Sequence, residues 1–186
     1  MIAILFLEAA AMYDHCDRVL ISKEEIEAMV KRLGRKISED YAGKELIIVG
    51  ILKGGFMFMA DLVREITVPC KLDFLVLKSY EGTESTGVVK ILKDTDFPVE
   101  GKHVLIVEDI VDTGVTLSYI KKLFEVRMAE SVAICTAFDK PDRRKCAGIE
   151  VEYSGIVIPN EFVVGYGLDY NDYMRNIPEL RILDTE

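Results

Sequence analysis

Short apolar runs alternate with amphipathic helical patterns along most of this chain. Apolar runs of the length of a buried strand occupy residues 46–52, 72–77, 104–107 and 131–138. Apolar residues recur at helical spacing after Ser22 up to about Gly43, over residues 56–66, and from Thr113 to about Arg127. Because a continuously apolar run suits a strand covered on both faces, this alternation predicts an α/β fold with a mainly parallel central sheet flanked by helices.

Shorter segments complete this organisation. The sequence Ser22-Lys-Glu-Glu25 fits a capping box, which predicts that the first helix begins directly after this serine. We expect further short strands at residues 88–92, 154–158 and 162–164, and a loop or short helix over the charged residues 139–145. Residues 79–87 are polar and small, which predicts a mobile excursion between two strands. For residues 1 to about 17 we expect a strand or a loosely held extension.

Length and charge limit the classes of protein to which the chain can belong. Its 186 residues predict one domain, with a core over about residues 40–150. The 32 acidic side chains outnumber the 23 basic ones, and the net charge of −9 argues against a general nucleic-acid binder, which needs a basic face. No stretch approaches the roughly 18 apolar residues of a membrane span, so we expect no membrane partner. Four cysteines without zinc-ligand spacing favour reduced thiols and a cytoplasmic location.

Residues 104–117 carry the most informative chemical pattern. An apolar strand leads directly into the adjacent carboxylates Glu108 and Asp109. A helix then begins at Asp112-Thr113-Gly114-Val115-Thr116. A glycine-bearing turn at a helix N-terminus presents free amides to a phosphate group, while nearby carboxylates can accept from sugar hydroxyls or attract a cation. From the residues alone, a plain loop with an aspartate N-cap remains the alternative.

This segment resembles the phosphoribosyl-pyrophosphate (PRPP) motif of type I phosphoribosyltransferases. Other segments are similar to the hypoxanthine (hypoxanthine-guanine) branch of that family, and the resemblance covers about residues 21–181. These segments are Gly50-Ile-Leu-Lys-Gly-Gly55, Leu77-Lys-Ser-Tyr80, Asp139-Lys-Pro-Asp-Arg-Arg144 and Phe162-Val-Val-Gly-Tyr-Gly-Leu-Asp-Tyr170. The resemblance implies the type I phosphoribosyltransferase fold, in which a small hood is built from the N-terminal segment and about residues 151–186.

The resemblance also implies which residues bind PRPP. Two carboxylates hold the ribose hydroxyls, the turn at the helix start cradles the 5′-phosphate, and a turn after the first buried strand meets the pyrophosphate, often through a non-proline cis peptide. An arginine far along the chain reaches the same pyrophosphate. The implied PRPP-binding residues are Lys53, Gly54, Glu108, Asp109, Asp112, Thr113, Gly114, Val115, Thr116 and Arg175.

A second implied set recognises the purine. Lys140 donates to the 6-oxo group, Phe162 stacks on the base, and Val163 reads its edge through main-chain atoms. Asp169 belongs to the same set, and Asp112 is the implied catalytic residue, a general base near N7. A lysine donor matches the acceptor O6 of a 6-oxopurine and selects against adenine, which presents an amino group there.

Mg²⁺ is the implied cofactor, with Glu108, Asp109 and Asp169 as its protein ligands. Ser79 and Tyr80 belong to an implied lid over about residues 79–87 that closes over the site. Homodimers or homotetramers are usual in the family, so we expect a homo-oligomer whose other partners are the small substrates.

Together these motifs imply a glycosyltransferase of purine salvage that moves phosphoribose from PRPP to N9 of hypoxanthine or guanine. The first alternative is an enzyme that uses xanthine or another 6-oxopurine, because Lys140 and Phe162 fit all of these bases. The second is a regulator that keeps the PRPP fold and binds RNA, although the net charge of −9 counts against it.

Overall fold

A computed structural model describes residue 16 and residues 18–79, 89–146 and 148–184 of the chain. The first half of this part contains β1 (Arg18–Ile21), α1 (Lys23–Asp40), β2 (Leu46–Leu52), α2 (Phe56–Glu65), β3 (Cys70–Ser79) and β4 (Val89–Lys93). The second half contains β5 (His103–Val111), α3 (Val115–Val126), β6 (Ser131–Asp139), a 3₁₀ turn (Pro141–Arg143), β7 (Tyr153–Val157), β8 (Val163–Val164) and β9 (Leu180–Ile182). Most of the predicted lid (about residues 79–87) and most of the predicted extension (residues 1 to about 17) lie outside the described residues, so those two expectations stay predictions.

Six of the described strands form one sheet in the order β4-β3-β2-β5-β6-β7. All neighbours are parallel except β4, which runs antiparallel to β3 at one edge. The predicted α/β fold with a mainly parallel sheet is therefore confirmed. Strand β5 is longer than expected, because its register with β6 continues as far as the pair Val111 and Asp139. Glu108 and Asp109 consequently lie within a paired strand rather than after it.

Helices cover both faces of this sheet. Alternate residues of β2 point to opposite sides: Leu46 and Ile48 join the cluster that contains α1 and α2, whereas Ile47 and Val49 join the cluster that contains α3. This explains why the strand is apolar throughout, since neither face meets water. The predicted capping box starts α1, where the Ser22 hydroxyl accepts from the Glu25 amide at 3.2 Å and the Glu25 carboxylate accepts from the Ser22 amide at 2.8 Å.

A smaller three-stranded sheet in the order β1-β9-β8 joins the two ends of the described chain. Its strands are antiparallel. The hood was predicted from the N-terminal segment and about residues 151–186, but β7 belongs to the main sheet, so the C-terminal strands of the small sheet begin only at Val163. Residues 139–145 were expected to form a loop or a short helix, and they contain a short 3₁₀ turn at Pro141–Arg143. Within the described residues, no helix has the length and apolar character needed to cross a membrane.

Candidate active site

The carboxyl ends of β2, β5 and β6 meet at one edge of the sheet, because these three strands are parallel neighbours. Ligands of open α/β sheets bind outside these strand ends. A cleft of about 410 Å³ lies there. It is lined by Asp109, Ile110, Asp112, Lys140, Arg143, Asn160, Glu161, Phe162, Val163, Leu168 and Asp169. Six of these residues are among the site residues predicted from the sequence, and they come from four separate segments.

Glu108 and Asp109 form a tightly packed carboxyl pair at the end of β5. Burial, followed by the charge of Asp109, raises the pKa of Glu108 well above its usual value. Burial also raises the pKa of Asp109, although hydrogen bonds from Glu108 and the Ile110 amide and the charge of Arg175 oppose that rise. Asp109 is fixed in place, since its Oδ1 accepts from the Ile110 amide at 2.7 Å. Such a pair is best satisfied by a ligand that brings hydroxyl donors or positive charge.

The turn after β2 packs tightly against this carboxyl pair. It begins with a cis peptide bond between Leu52 and Lys53, as the resemblance implies. A Cβ atom on Gly54 would overlap the Asp109 carboxylate, and one on Gly167 would overlap the Gly54 carbonyl oxygen. Gly54 therefore allows the turn to approach Asp109, and Gly167 allows its own segment to approach the Gly54 carbonyl oxygen.

The N-terminus of α3 begins beside the cleft at Gly114, which has a φ of +77°. Val115 and Thr116 lie in the first turn of the helix. The Thr113 hydroxyl oxygen lies 3.5 Å from the Val115 amide, a long contact, and the Thr113 carbonyl accepts from the amide of Lys145 at 3.1 Å. The loop is therefore held by the segment that follows β6. The free amides of the first turn of α3 lie at the positive end of the helix dipole, where an anion is stabilised.

Asp112 is held by two consecutive arginines that the sequence prediction did not include. Arg143 donates to both carboxylate oxygens of Asp112, from Nε at 2.7 Å and from Nη2 at 3.2 Å. Arg144 donates to the Asp112 main-chain carbonyl at 3.2 Å and to the Asp139 carboxylate at 2.6 Å. Both arginines lie in the motif 139–144, yet only Lys140 of that motif was assigned a role from the sequence.

Lys140 and Phe162, two of the residues predicted to recognise the purine, both line the cleft. Lys140 is only 8 % exposed, and its Nζ donates to the Glu161 carbonyl at 2.7 Å. Burial lowers the pKa of Lys140, while the negative charge of Asp112 acts in the opposite direction. Phe162 is 47 % exposed and rests edge-to-face on Tyr170, with 5.7 Å between the ring centroids. Val163 is buried in β8. An exposed aromatic face beside a buried ammonium group suits a flat base with a polar edge.

Lys53 and Arg175 are both paired with carboxylates. Lys53 Nζ lies 2.8 Å from the Asp172 carboxylate. Arg175 contacts Asp169 at 2.7 Å and Asp172 at 3.3 Å, and it donates to the Gly167 carbonyl at 2.7 Å. Arg175 lines a separate cleft of about 420 Å³ rather than the cleft that contains Asp112 and Lys140. Asp172 was missed because nothing in its sequence neighbourhood indicates a partner at residue 53.

Two predicted lid residues cannot be placed in this site. Tyr80 lies outside the described residues, and Ser79 is described only as the last residue of β3. Their role stays a prediction.

Comparisons with known proteins identify the family of this chain. A model of the phosphoribosyl transferase domain matches residues 20–171. The chain is 48 % identical over 176 residues to a hypoxanthine-guanine phosphoribosyltransferase of Staphylococcus aureus, covering 94 % of this chain and 98 % of that protein. It is 47 % identical over 177 residues to the bifunctional protein TilS/HprT of Listeria innocua, covering 95 % of this chain but only 27 % of that longer protein.

A solved structure gives the same answer in three dimensions. The crystal structure of a hypoxanthine phosphoribosyltransferase from Staphylococcus aureus superposes with a TM-score of 0.89 at 48 % identity, covering 94 % of this chain and 95 % of that one. Fold and sequence similarity over 94 % of the chain therefore agree. This chain belongs to the phosphoribosyltransferase family, within its hypoxanthine branch.

Proposed function

We propose that this protein transfers the phosphoribosyl group from PRPP to N9 of hypoxanthine, guanine or both, releasing pyrophosphate and IMP or GMP. The observation that carries the proposal is the single cleft that joins Lys140 and Phe162 to Asp109 and Asp112, beside the N-terminus of α3. This arrangement combines a base-binding face, a ribose-binding carboxylate and a phosphate-binding helix end. The hypoxanthine-guanine phosphoribosyltransferases to which the chain is similar support the same activity.

The purine is recognised by the buried lysine and the exposed ring. A lysine ammonium carries three donors, and the Glu161 carbonyl takes one of those of Lys140, which leaves two for O6 of the base. Adenine would oppose these donors with its own amino group and leave a buried charge without an acceptor, which is a strongly selective arrangement. Phe162 stacks on any of the purines and contributes affinity rather than selectivity.

PRPP is bound through complementary groups along the cleft. The 5′-phosphate meets the amides and hydroxyls of residues 112–116 at the start of α3. The ribose hydroxyls donate to Glu108 and Asp109, whose burial makes such donors favourable. The pyrophosphate lies toward the turn at Gly54 and the cations Lys53 and Arg175, each of which would exchange a carboxylate partner for a phosphate oxygen.

Mg²⁺ fits this site as a cofactor that the protein and PRPP hold together. Mg²⁺ prefers oxygen ligands and is commonly bound by one or two carboxylates plus substrate phosphates. The candidates Glu108, Asp109 and Asp169 supply carboxylate oxygens, and the described residues contain no cluster of three or more His, Cys, Asp or Glu that would form a complete protein site. When bound, Mg²⁺ neutralises part of the charge that develops on the pyrophosphate.

The protein's own groups account for the remaining chemistry. The bond from C1′ to pyrophosphate breaks largely before the bond to N9 forms, so C1′ passes through an oxocarbenium-like state with inversion. Asp112 takes the proton from N7 as nitrogen attacks, a contribution of about 10²–10⁴-fold for general-base assistance. Lys53, Arg175 and the Gly54 amide are in place before the reaction, and they stabilise the negative charge that develops on the departing pyrophosphate.

The direct test is product formation from PRPP and Mg²⁺ with each of hypoxanthine, guanine and xanthine. We expect nucleotide and pyrophosphate in equal amounts with hypoxanthine or guanine, and no nucleotide with adenine. A clear preference for xanthine would replace the proposed base with the first alternative. Ribose 5-phosphate and pyrophosphate without any nucleotide would refute the transferase assignment. Filter binding to RNA at low salt tests the regulator alternative in the same preparation.

We also propose a homodimer or homotetramer in the cytoplasm. The thiols of Cys70, Cys135 and Cys146 are not joined in disulfides, which is typical of a reducing compartment. Light scattering coupled to size-exclusion chromatography tests the oligomeric state, and a monomeric mass would contradict it.

A further inference from the structure

Arg143 and Asp112 form an ion pair, and both residues line the cleft. Arg143 itself lines the cleft, and its guanidinium contacts both oxygens of the carboxylate proposed as general base. The two side chains are 43 % and 41 % exposed, so neither is buried away from an incoming ligand. A two-point contact of this kind fixes the plane of a carboxylate as well as its position.

The backbone around Arg143 is anchored on both sides. Its amide donates to the Lys140 carbonyl at 3.0 Å, and the Lys140 amide donates to the Val111 carbonyl at 3.0 Å. On the far side, the Lys145 amide donates to the Thr113 carbonyl at 3.1 Å. The segment that carries Arg143 is therefore bonded to the residues immediately before and after Asp112. This frame can hold the guanidinium at a fixed distance from the carboxylate.

We propose that Arg143 is a positioning residue, which orients the Asp112 carboxylate toward the purine and remains bound to it while the base occupies the cleft. The proposal rests on the proposed function of Asp112. A carboxylate offers about four lone-pair positions, and Arg143 uses two of them, so two remain for the N7 proton. A general base works only when it is held in line with the proton it receives, and a displacement of about 1 Å can cost roughly 100-fold in rate.

Two other roles for Arg143 predict different kinetics. If Arg143 only stabilised the loop, Arg143→Ala and Asp112→Asn would act independently. The fold-losses in kcat of the two single variants would then multiply in the double variant. If Arg143 instead blocked Asp112 until the purine displaced it, its removal would improve binding of the base. A positioning role requires that the effect of Arg143 disappears once Asp112 can no longer accept a proton.

The experiment is a double-mutant cycle with a matched control. The variants are Arg143→Ala, Arg143→Lys, Asp112→Asn, the double variant Asp112→Asn/Arg143→Ala, and Arg127→Ala. Arg127 makes a similar two-point ion pair with Asp94, at 2.7 and 2.6 Å, at the C-terminal end of α3, whereas the N-terminal end lies beside the cleft. Turnover with PRPP, Mg²⁺ and hypoxanthine is measured for kcat and for both KM values, together with the thermal midpoint of each variant. Turnover of the unmodified protein decides the proposed function separately.

We expect Arg143→Ala to lower kcat by about 10–100-fold with the KM for PRPP changed by less than about threefold. Arg143→Lys should recover part of kcat, because lysine restores the charge but only one contact. The double variant should be no slower than Asp112→Asn alone, and Arg127→Ala should keep the kcat of the unmodified protein. Three results would each overturn the assignment. The first is losses in kcat that multiply in the double variant, and the second is an unchanged kcat in Arg143→Ala. The third is a lower KM for hypoxanthine in Arg143→Ala with kcat retained.

Discussion

Gly54→Ala perturbs the contact between the turn after β2 and the Asp109 carboxylate. An added Cβ would lie 2.7 Å from Asp109 Cγ and closer still to Oδ2, so the carboxylate must move. It has little freedom to do so, because Asp109 is only 8 % exposed and its other oxygen is held by the Ile110 amide at 2.7 Å. The expected result is a displaced carboxylate in an otherwise native fold.

The size of the effect follows from the contacts that are lost. A hydrogen bond to a charged acceptor contributes about 1.5–3 kcal/mol to stability, and the bond from Ile110 is the one at risk. If Asp109 also holds a ribose hydroxyl, the same displacement removes a comparable contact with PRPP. A loss of about 2 kcal/mol corresponds to a roughly 30-fold fall in kcat/KM for PRPP. The thermal midpoint should fall by about 4–8 °C for a chain of this size.

The assay measures kcat/KM for PRPP at saturating hypoxanthine, alongside thermal unfolding. Gly101→Ala is the control, because Gly101 has a φ of +64° and its added Cβ would have no neighbour within 4 Å. This control should lose about 1–2 kcal/mol of stability through backbone strain and keep kcat/KM. In an Asp109→Ala background the overlap vanishes, so Gly54→Ala should no longer destabilise the fold. An unchanged kcat/KM in Gly54→Ala, or full destabilisation in that background, would refute the reasoning.

Three further predictions concern other residues. Asp112→Asn should lower kcat by about 10²–10⁴-fold with a much smaller change in the KM for PRPP, and steady-state rates that keep full kcat would remove Asp112 from the base role. Lys140→Met should lower kcat/KM for hypoxanthine by roughly 10–100-fold while the KM for PRPP stays close to that of the unmodified protein, as checked by varying each substrate in turn. Asp73→Asn should destabilise the fold by about 1–3 kcal/mol at neutral pH. Burial opposes ionisation of Asp73, but the amides of Phe74, Asp96 and Phe97 outweigh it and hold its pKa below the usual value. The stabilisation is therefore complete above the unfolded pKa of about 3.9 and is lost as pH falls through the lower folded pKa, so urea unfolding of the two proteins should converge in acid.

The main sheet was predictable from sequence because each central strand is apolar on both faces. Residues 46–52 show this directly, since the observed strand β2 has the predicted bounds. The start of α1 was predictable for a different reason, because the capping box is a local pattern that needs no tertiary contact. The full length of β5 was not predictable, since Glu108 and Asp109 stay extended only through pairing with β6.

The candidate site shows the same division between local and long-range information. Asp112 and Lys140 stand in motifs that can be recognised along the chain, so their place in the cleft could be predicted. The partners that hold these residues could not. Arg143 reaches Asp112 across 31 positions because the parallel strands β5 and β6 end side by side. Asp172 reaches Lys53 across 119 positions because the segment between β8 and β9 packs against the turn after β2.

The pairing of cations in the cleft also explains how an acidic protein can serve a highly anionic substrate. The chain carries a net charge of −9, yet Lys53, Arg143 and Arg175 all contact aspartates near the site. These pairs keep the cations organised and partly neutralised in the free protein, so little side-chain order has to be created when phosphate oxygens arrive. In the proposed mechanism, Lys53 and Arg175 exchange their aspartate partners for the pyrophosphate, whereas Arg143 keeps Asp112 because Asp112 is the proposed base. The acidic residues near the cleft therefore position the basic side chains, either until the substrate binds or throughout the reaction. The net charge of the whole chain has little bearing on which anion the cleft accepts.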